Sequence, residues 1–509
     1  MTPPDVRPLR YDPAIERPEL GEAALALTLR RLFRDIQETT LGHYGHAMRG
    51  IHTKSHGLLE GELEVAEGLP PELAQGLFAR PGRYPAVMRL SVNRGDVIDD
   101  DVSVPRGFAI KIIGVEGERL PGAEGHTTQD LVLVNQPAFT EPDLKVFVRN
   151  MTMVDLTTDT GLVWKKALGA ALRPLVAALK ALGLRAWTLT TIGGHPLSHP
   201  LGDTYYSQVP FRYGDHVAKL ALAPATPALR ALKDRPVDLW GRPNGLREEL
   251  IRFFRDGGGV WELRVQLRTN PATMPIEDAS VIWPERESPY RTVARLVVPP
   301  QPAWSEARAR AVEDGLAFNP WNGLAAHQPL GAVNRARRDA YPEGAAFRAR
   351  HNGCPIHEPR GPMRLPTAPA EVYGTSPGRE GRRPGTPDAI PGVVGPPMRD
   401  VARALFAGAG MGLAVAAGRL VLNGNAREGA ALDPLPAVAG GIGYALARSG
   451  GAPIREAAAF GIGFRAACGS APPRGALGAL AGLCLGALAG GAVHALAAEA
   501  HRPPRRASA

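Results

Sequence analysis

The chain of 509 residues is longer than one hydrophobic core usually serves, so a large domain with an appendage, or two domains, is expected, with ample size to bury a cofactor. Its formal net charge of +9 comes from basic and acidic residues that interleave along the chain, without the basic stripe or binding module that nucleic-acid recognition needs. Three widely spaced cysteines, Cys354, Cys468 and Cys484, exclude a disulfide framework and a cysteine-based zinc site and suit a reducing cytoplasm, and the N-terminus lacks the apolar run of a secretion signal.

Residues 1–20 read as an extended arm, because Pro3, Pro4, Pro8, Pro13 and Pro18 exclude regular helix. From Gly21 to Met48 the apolar residues Leu25, Leu29, Leu32, Phe33 and Ile36 recur at helical spacing, which predicts a helix. Eight segments then alternate apolar and polar residues in the manner of half-buried antiparallel strands: 59–65, 86–92, 108–114, 130–135, 206–213, 216–223, 260–267 and 292–298. Eight such strands suffice to close a small barrel, which removes exposed sheet edges. Between the two groups of four, GLVWKKALGAALRPLVAALKALGLRAW is a cationic amphipathic helix carrying Lys165, Lys166, Arg173, Lys180 and Arg185, for which packing on protein is a simpler expectation than lying on a membrane.

The expected fold is therefore α+β, an eight-stranded antiparallel barrel with surrounding helices over residues 21–366. Residues 367–398 have the Pro/Gly density of a linker. Residues 399–509 form an Ala/Gly-rich helical tail whose run from Gly475 to Ala498 holds no charged side chain. That run meets the length of a membrane span, yet its Ala/Gly content makes it only weakly apolar, and its small-residue spacing serves the packing of soluble helices equally well.

RARRDAYPEGAAFR, residues 335–348, carries the most specific chemistry. On a helix, Arg337, Tyr341 and Arg348 share one face, and a cation beside a phenol favours phenolate, a metal ligand. Read alone, the segment is more simply a surface helix with a half-buried tyrosine. Taken with the rest of the chain, it resembles the catalase superfamily, whose helix near the end of the barrel carries Arg-x-x-x-Tyr-Pro, as Arg337 to Pro342 do here. RGIHTKSHG, PAVMRLSV with VPRGFAIK, DLVLVNQPAF, and VIWPERESPYRTVARLVV with LAFNPWN are similar to further family motifs and occur in family order over residues 40–355.

The resemblance implies a haem b cofactor with its iron held by Tyr341, polarised by Arg337. It implies His52 as the distal acid/base, Asn135 as a hydrogen-bond donor to bound peroxide, and Ser91, on the same strand face as Arg89, as the group that fixes the His52 tautomer. Arg49, Arg89 and Arg348 would meet the haem propionates, and Phe139 would line the distal pocket. The implied activity is decomposition of hydrogen peroxide to water and dioxygen by a homo-oligomer, with a peroxidase or organic-hydroperoxide enzyme on the same fold and a non-catalytic haem- or lipid-binding barrel as alternatives. Three positions depart from the family pattern. Thr140 stands where a second phenylalanine is usual, Ala345 where many members have histidine, and Glu285 where dinucleotide-binding members have histidine, which argues against a bound nicotinamide dinucleotide.

Overall fold

The computed structural model describes residues 7–158, 162–181 and 186–367; the tail expected at 399–509, and the linker beyond Thr367, lie outside the described residues. The larger unit is built on nine strands: β1 (Ser55–Val65), β2 (Gly82–Val92), β3 (Arg106–Ile113), β4 (Thr128–Val134), β5 (Tyr205–Tyr206), β6 (Phe211–Tyr213), β7 (His216–Pro224), β8 (Gly259–Leu267) and β9 (Arg291–Val298). All pairings are antiparallel in the order β5-β4-β3-β2-β1-β9-β8-β7, and β5 also pairs with β7, so eight strands close into a barrel and β6 hangs on β7 as a short hairpin arm.

The alternation that identified the strands sorts their side chains between two faces. Along β2, Met88 and Leu90 enter the barrel core with Phe108, Ile110 and Ile112 of β3, and Trp261, Leu263 and Val265 of β8 fill the opposite wall. Val87, Arg89 and Ser91 then face outward by the two-residue period of a strand. The expected single strand at 206–213 is two strands instead. Gln208 takes a left-handed φ of 63° and Pro210 has no N–H to give to a ladder, so pairing breaks between them.

Helices cover the outside of the barrel. α1 (Glu22–Tyr44), α2 (Leu144–Thr158) and a long helix near the end of the domain, residues 332–352, pack together through Leu29, Leu32, Ile36, Leu144, Val148, Ala332 and Ala336. α1 confirms the spacing of apolar residues in the sequence. From residue 7 onward the N-terminal arm is extended apart from one 3₁₀ turn, Pro13–Ile15, and is tied to the barrel by Leu9 N donating to Arg268 O and Tyr11 N to Asp215 O.

Residues 163–195 belong to a second unit. Here α3 (Leu162–Ala181) and α4 (Trp187–Thr191) meet through Leu172, Val176 and Leu189. The remaining helices of the larger unit are α5 (Pro227–Arg230), α6 (Gly245–Asp256), α7 (Glu306–Ala309) and α8 (Ala332–Asn352). Among the described residues no helix is long and apolar enough to cross a membrane.

Candidate functional site

The site is assembled on the outer face of β2 and β3, from the loop before β1, the segment after α7 and the length of α8. His52 lies in that loop with a left-handed φ of 57°. A left-handed backbone is uncommon for a residue other than glycine and costs of the order of 1 kcal/mol, so it persists where surrounding contacts demand it. Those contacts are explicit. The Nδ1 of His52 is 3.2 Å from Ser91 Oγ, and Arg89 Nη2 donates to His52 O at 2.6 Å and to Thr53 O at 3.2 Å. Ser91 and Arg89 reach the loop together because both sit on the outward face of β2.

Burial and then the cations Arg89, Arg337 and Arg49 push the His52 imidazole down to about 3, so it is neutral at ordinary pH. With Nδ1 directed at Ser91, Nε2 is the nitrogen left for a ligand. The ring is also confined from the side, since a Cβ on Gly107 of β3 would lie 2.6 Å from its Nδ1 and 2.7 Å from its Cε1.

Arg49, Arg89 and Arg348 converge on one residue, Glu313. Both carboxylate oxygens of Glu313 lie against Arg89 Nε, at 2.9 and 3.0 Å. One of them also pairs with Arg49 Nη1, and Arg348 Nη1 donates to the Glu313 backbone carbonyl. Arg49 Nη2 donates to Leu316 O at 3.0 Å, and Arg348 Nη2 to the same oxygen at 3.3 Å. Glu313 sits in one turn of π-helix, Arg310–Asp314, a rare form that is frequent at functional sites.

The neighbouring Asp314 accepts its hydrogen bonds from other partners, although its charge also acts on Arg49 and Arg348. His46 Nε2 lies 2.9 Å from its Oδ1 and Asn352 Nδ2 donates to it at 3.0 Å. Three guanidiniums thus face one hydrogen-bonded carboxylate. Arg89 and Arg348 are each 3% exposed, and burial drives them down to about 9 and about 10. Buried positive charge in excess of its partners is costly, and it is relieved by ligands that bring carboxylates.

Tyr341 lies on α8 between Arg337 and Arg348, half-buried, and its phenol makes no hydrogen bond with a described residue. The helix runs through Pro342, whose missing N–H leaves one carbonyl of the preceding turn without its usual partner. Arg337, expected to face the phenol, instead hydrogen-bonds Asn334 Oδ1 at 3.3 Å and stacks over the Phe139 ring at 5.5 Å. An arginine has the reach to prefer an aromatic face across the gap to a neighbour one turn away. Phe139 packs edge-on against Phe147 and joins Val209, Ala279 and Val333.

Asn135 stands at the end of β4. Its Oδ1 accepts from Arg106 N at 2.7 Å, and its Nδ2 donates to Asp203 at 2.9 Å. It closes the end of the β3–β4 pair, while Arg106 holds the same Asp203 at 3.0 Å.

Four histidines are held below their ordinary range, in each case first by burial: His52 at about 3, His199 and His327 at about 4, and His56 well below normal. The unfolded chain takes up these protons near pH 6.5 and the folded chain does not, so their effect on stability is absent above that pH and destabilising as pH falls toward 4. His46 works in the opposite sense, since its hydrogen bond to Asp314 raises it; its contribution is complete below about pH 6.5 and is lost as pH rises through its folded value. The urea midpoint is therefore expected to drop steeply between pH 6 and pH 4, and His327→Gln to flatten that drop. A midpoint constant down to pH 4.5 would contradict this reading of the buried imidazoles.

The chain is similar in fold to a fungal catalase (20% identity, covering 60% of this chain and 59% of that one, TM-score 0.43) and to catalase A from Saccharomyces cerevisiae (19%, 60% and 61%, 0.43). It is also similar to a bacterial catalase (16%, 76% and 72%, 0.42). The first two matches thus span about three fifths of the lengths of those catalases. No family model matches the sequence, and no curated protein matches it.

Proposed function

We propose that this chain binds haem b and decomposes hydrogen peroxide to water and dioxygen. The observation that carries the reading is the convergence of Arg49, Arg89 and Arg348 beside a neutral, sterically confined His52. Their unspent positive charge fits a porphyrin with two propionates, and guanidinium forks suit carboxylates geometrically. Tyr341, whose oxygen has no hydrogen-bond partner among the described residues, is the residue that would hold the iron. When bound, haem supplies an iron that takes up and returns the electrons the reaction exchanges.

The protein's own work is proton handling and position. His52 Nε2 takes a proton from one oxygen of hydrogen peroxide and returns it to the other, so that water rather than hydroxide leaves. A proton on Nδ1, donated to Ser91 Oγ, keeps Nε2 available as the base. Burial and the neighbouring cations hold the imidazole down at about 3, so that it is neutral and able to accept a proton at ordinary pH. Phe139 supplies an apolar wall. Asn135, with both polar atoms turned to Arg106 and Asp203, positions the end of β3 and β4 in this scheme.

The reading is tested by titrating hemin into the purified full-length chain and then following oxygen release from hydrogen peroxide. Saturable uptake with a Soret band, followed by oxygen evolution, is expected; a chain that stays colourless with hemin present ends the proposal. Thr140, half-buried in place of a second phenylalanine, favours a more open pocket. For that reason tert-butyl hydroperoxide with a small electron donor is the informative comparison, since faster turnover there would assign a peroxidase.

Gly107→Ala is expected to reduce peroxide turnover roughly tenfold to a hundredfold, the usual cost of moving a catalytic group by about an ångström. The added methyl would meet His52 Nδ1 at 2.6 Å and Ser91 Oγ at 3.1 Å, so the ring must leave its place. Rates measured beside hemin affinity separate the two effects: turnover should fall while uptake of hemin changes little.

A further inference from the structure

Resting on that reading, we infer that Glu313 is the positioning residue of the arginine cluster, holding Arg49 and Arg89 at the spacing that makes the site select a ligand with two carboxylates. One residue touches all three cations, and it does so in two separable ways. Its side chain engages Arg89 Nε through both oxygens and Arg49 through one, whereas its backbone carbonyl alone receives Arg348.

The rest of each guanidinium is held by carbonyls: His52 O and Thr53 O for Arg89, Leu316 O for Arg49 and for Arg348. Carbonyls fix direction but leave the mutual repulsion of the cations in place, and the Glu313 carboxylate, in contact with both Arg49 and Arg89, offsets it at close range. The π-turn at Arg310–Asp314 carries Glu313 to that position, and the adjacent Asp314 pins the same turn to His46 and Asn352. Asp314, next in the chain, adds its charge to Arg49 and Arg348 from a distance, while Glu313 is the carboxylate in hydrogen-bond contact with the guanidiniums of the cluster. Glu313 therefore acts through the arginines, without touching the ligand itself.

The probes are hemin and hemin dimethyl ester, identical in ring and iron but differing in the two carboxylates, titrated into the full-length wild-type chain and into Glu313→Gln and Glu313→Asp. Wild type is expected to prefer hemin about a hundredfold, near tenfold for each charge-assisted pair. Glu313→Gln should cut that ratio to about tenfold or less, and Glu313→Asp, which keeps the charge on a shorter arm, should restore part of it.

A purely structural role would weaken both porphyrins together and leave the ratio untouched. An unchanged ratio in Glu313→Gln overturns the inference, as does a larger ratio, which would make Glu313 a competitor for the arginines. If Glu313→Gln does not fold, Glu313→Ala takes its place, and an unchanged ratio there has the same consequence. Equal wild-type affinity for the two porphyrins removes the arginine-anchored haem site itself. A wild-type preference that survives the substitution removes only the part assigned to Glu313.

Discussion

Replacing His52 by asparagine is expected to lower peroxide turnover by about 10²- to 10⁴-fold, the usual contribution of a positioned acid/base, while hemin uptake stays near the wild-type level. Asparagine is the informative choice because it tolerates the left-handed backbone that His52 occupies at φ 57°, whereas alanine or leucine would add strain to the loss of the imidazole. The carbonyl of residue 52 goes on accepting from Arg89 Nη2, so the arginine keeps its anchor. What disappears is the neutral nitrogen base and its link to Ser91 Oγ. Oxygen release by the purified variant, compared at equal haem content, measures the effect. Turnover within threefold of wild type would remove His52 from the chemistry.

Tyr341→Phe carries the second large effect. The substitution removes one oxygen from a half-buried side chain whose hydroxyl bonds to no described residue. Thermal stability should therefore move within roughly 0.5 kcal/mol, as for surface changes that break no named interaction. Hemin affinity should nonetheless fall by about two orders of magnitude or more, because the phenol is the proposed iron ligand. A variant that folds like wild type yet loses the Soret band separates ligation from folding; one that keeps the wild-type spectrum assigns the iron to another residue.

The barrel was legible because burial on one face of a strand writes itself into sequence with a period of two. Arg89 and Ser91 were placed on a common face by the same rule, and the loop before β1 reaches both. The break in the 206–213 segment was half legible, since Pro210 marks it in the sequence whereas the left-handed Gln208 leaves no trace in an alternating pattern. Glu313 was hidden for a different reason. A π-turn follows neither the strand nor the helix period, and its partners Arg49 and Arg89 lie more than two hundred residues earlier in the chain. VPRGFAIK contained Gly107, but only the approach of the imidazole explains why that position must lack a side chain. For Asn135 the sequence allowed a ligand donor or a strand-end residue, and its bonds to Arg106 and Asp203 belong to the second description.

The two-residue strand β5 joins the halves of the cylinder by the pairs Val134↔Tyr206, Tyr205↔Leu222 and Tyr206↔Ala221. The ladders β1–β2, β2–β3, β3–β4, β7–β8 and β8–β9 must unzip seven or more pairs to open, whereas this seam opens after one or two, so amide hydrogen exchange should be faster here than in those ladders. Val134 immediately precedes Asn135, and breathing of the seam therefore reaches the clamp on Arg106 and Asp203 before it reaches the wall that carries Arg89.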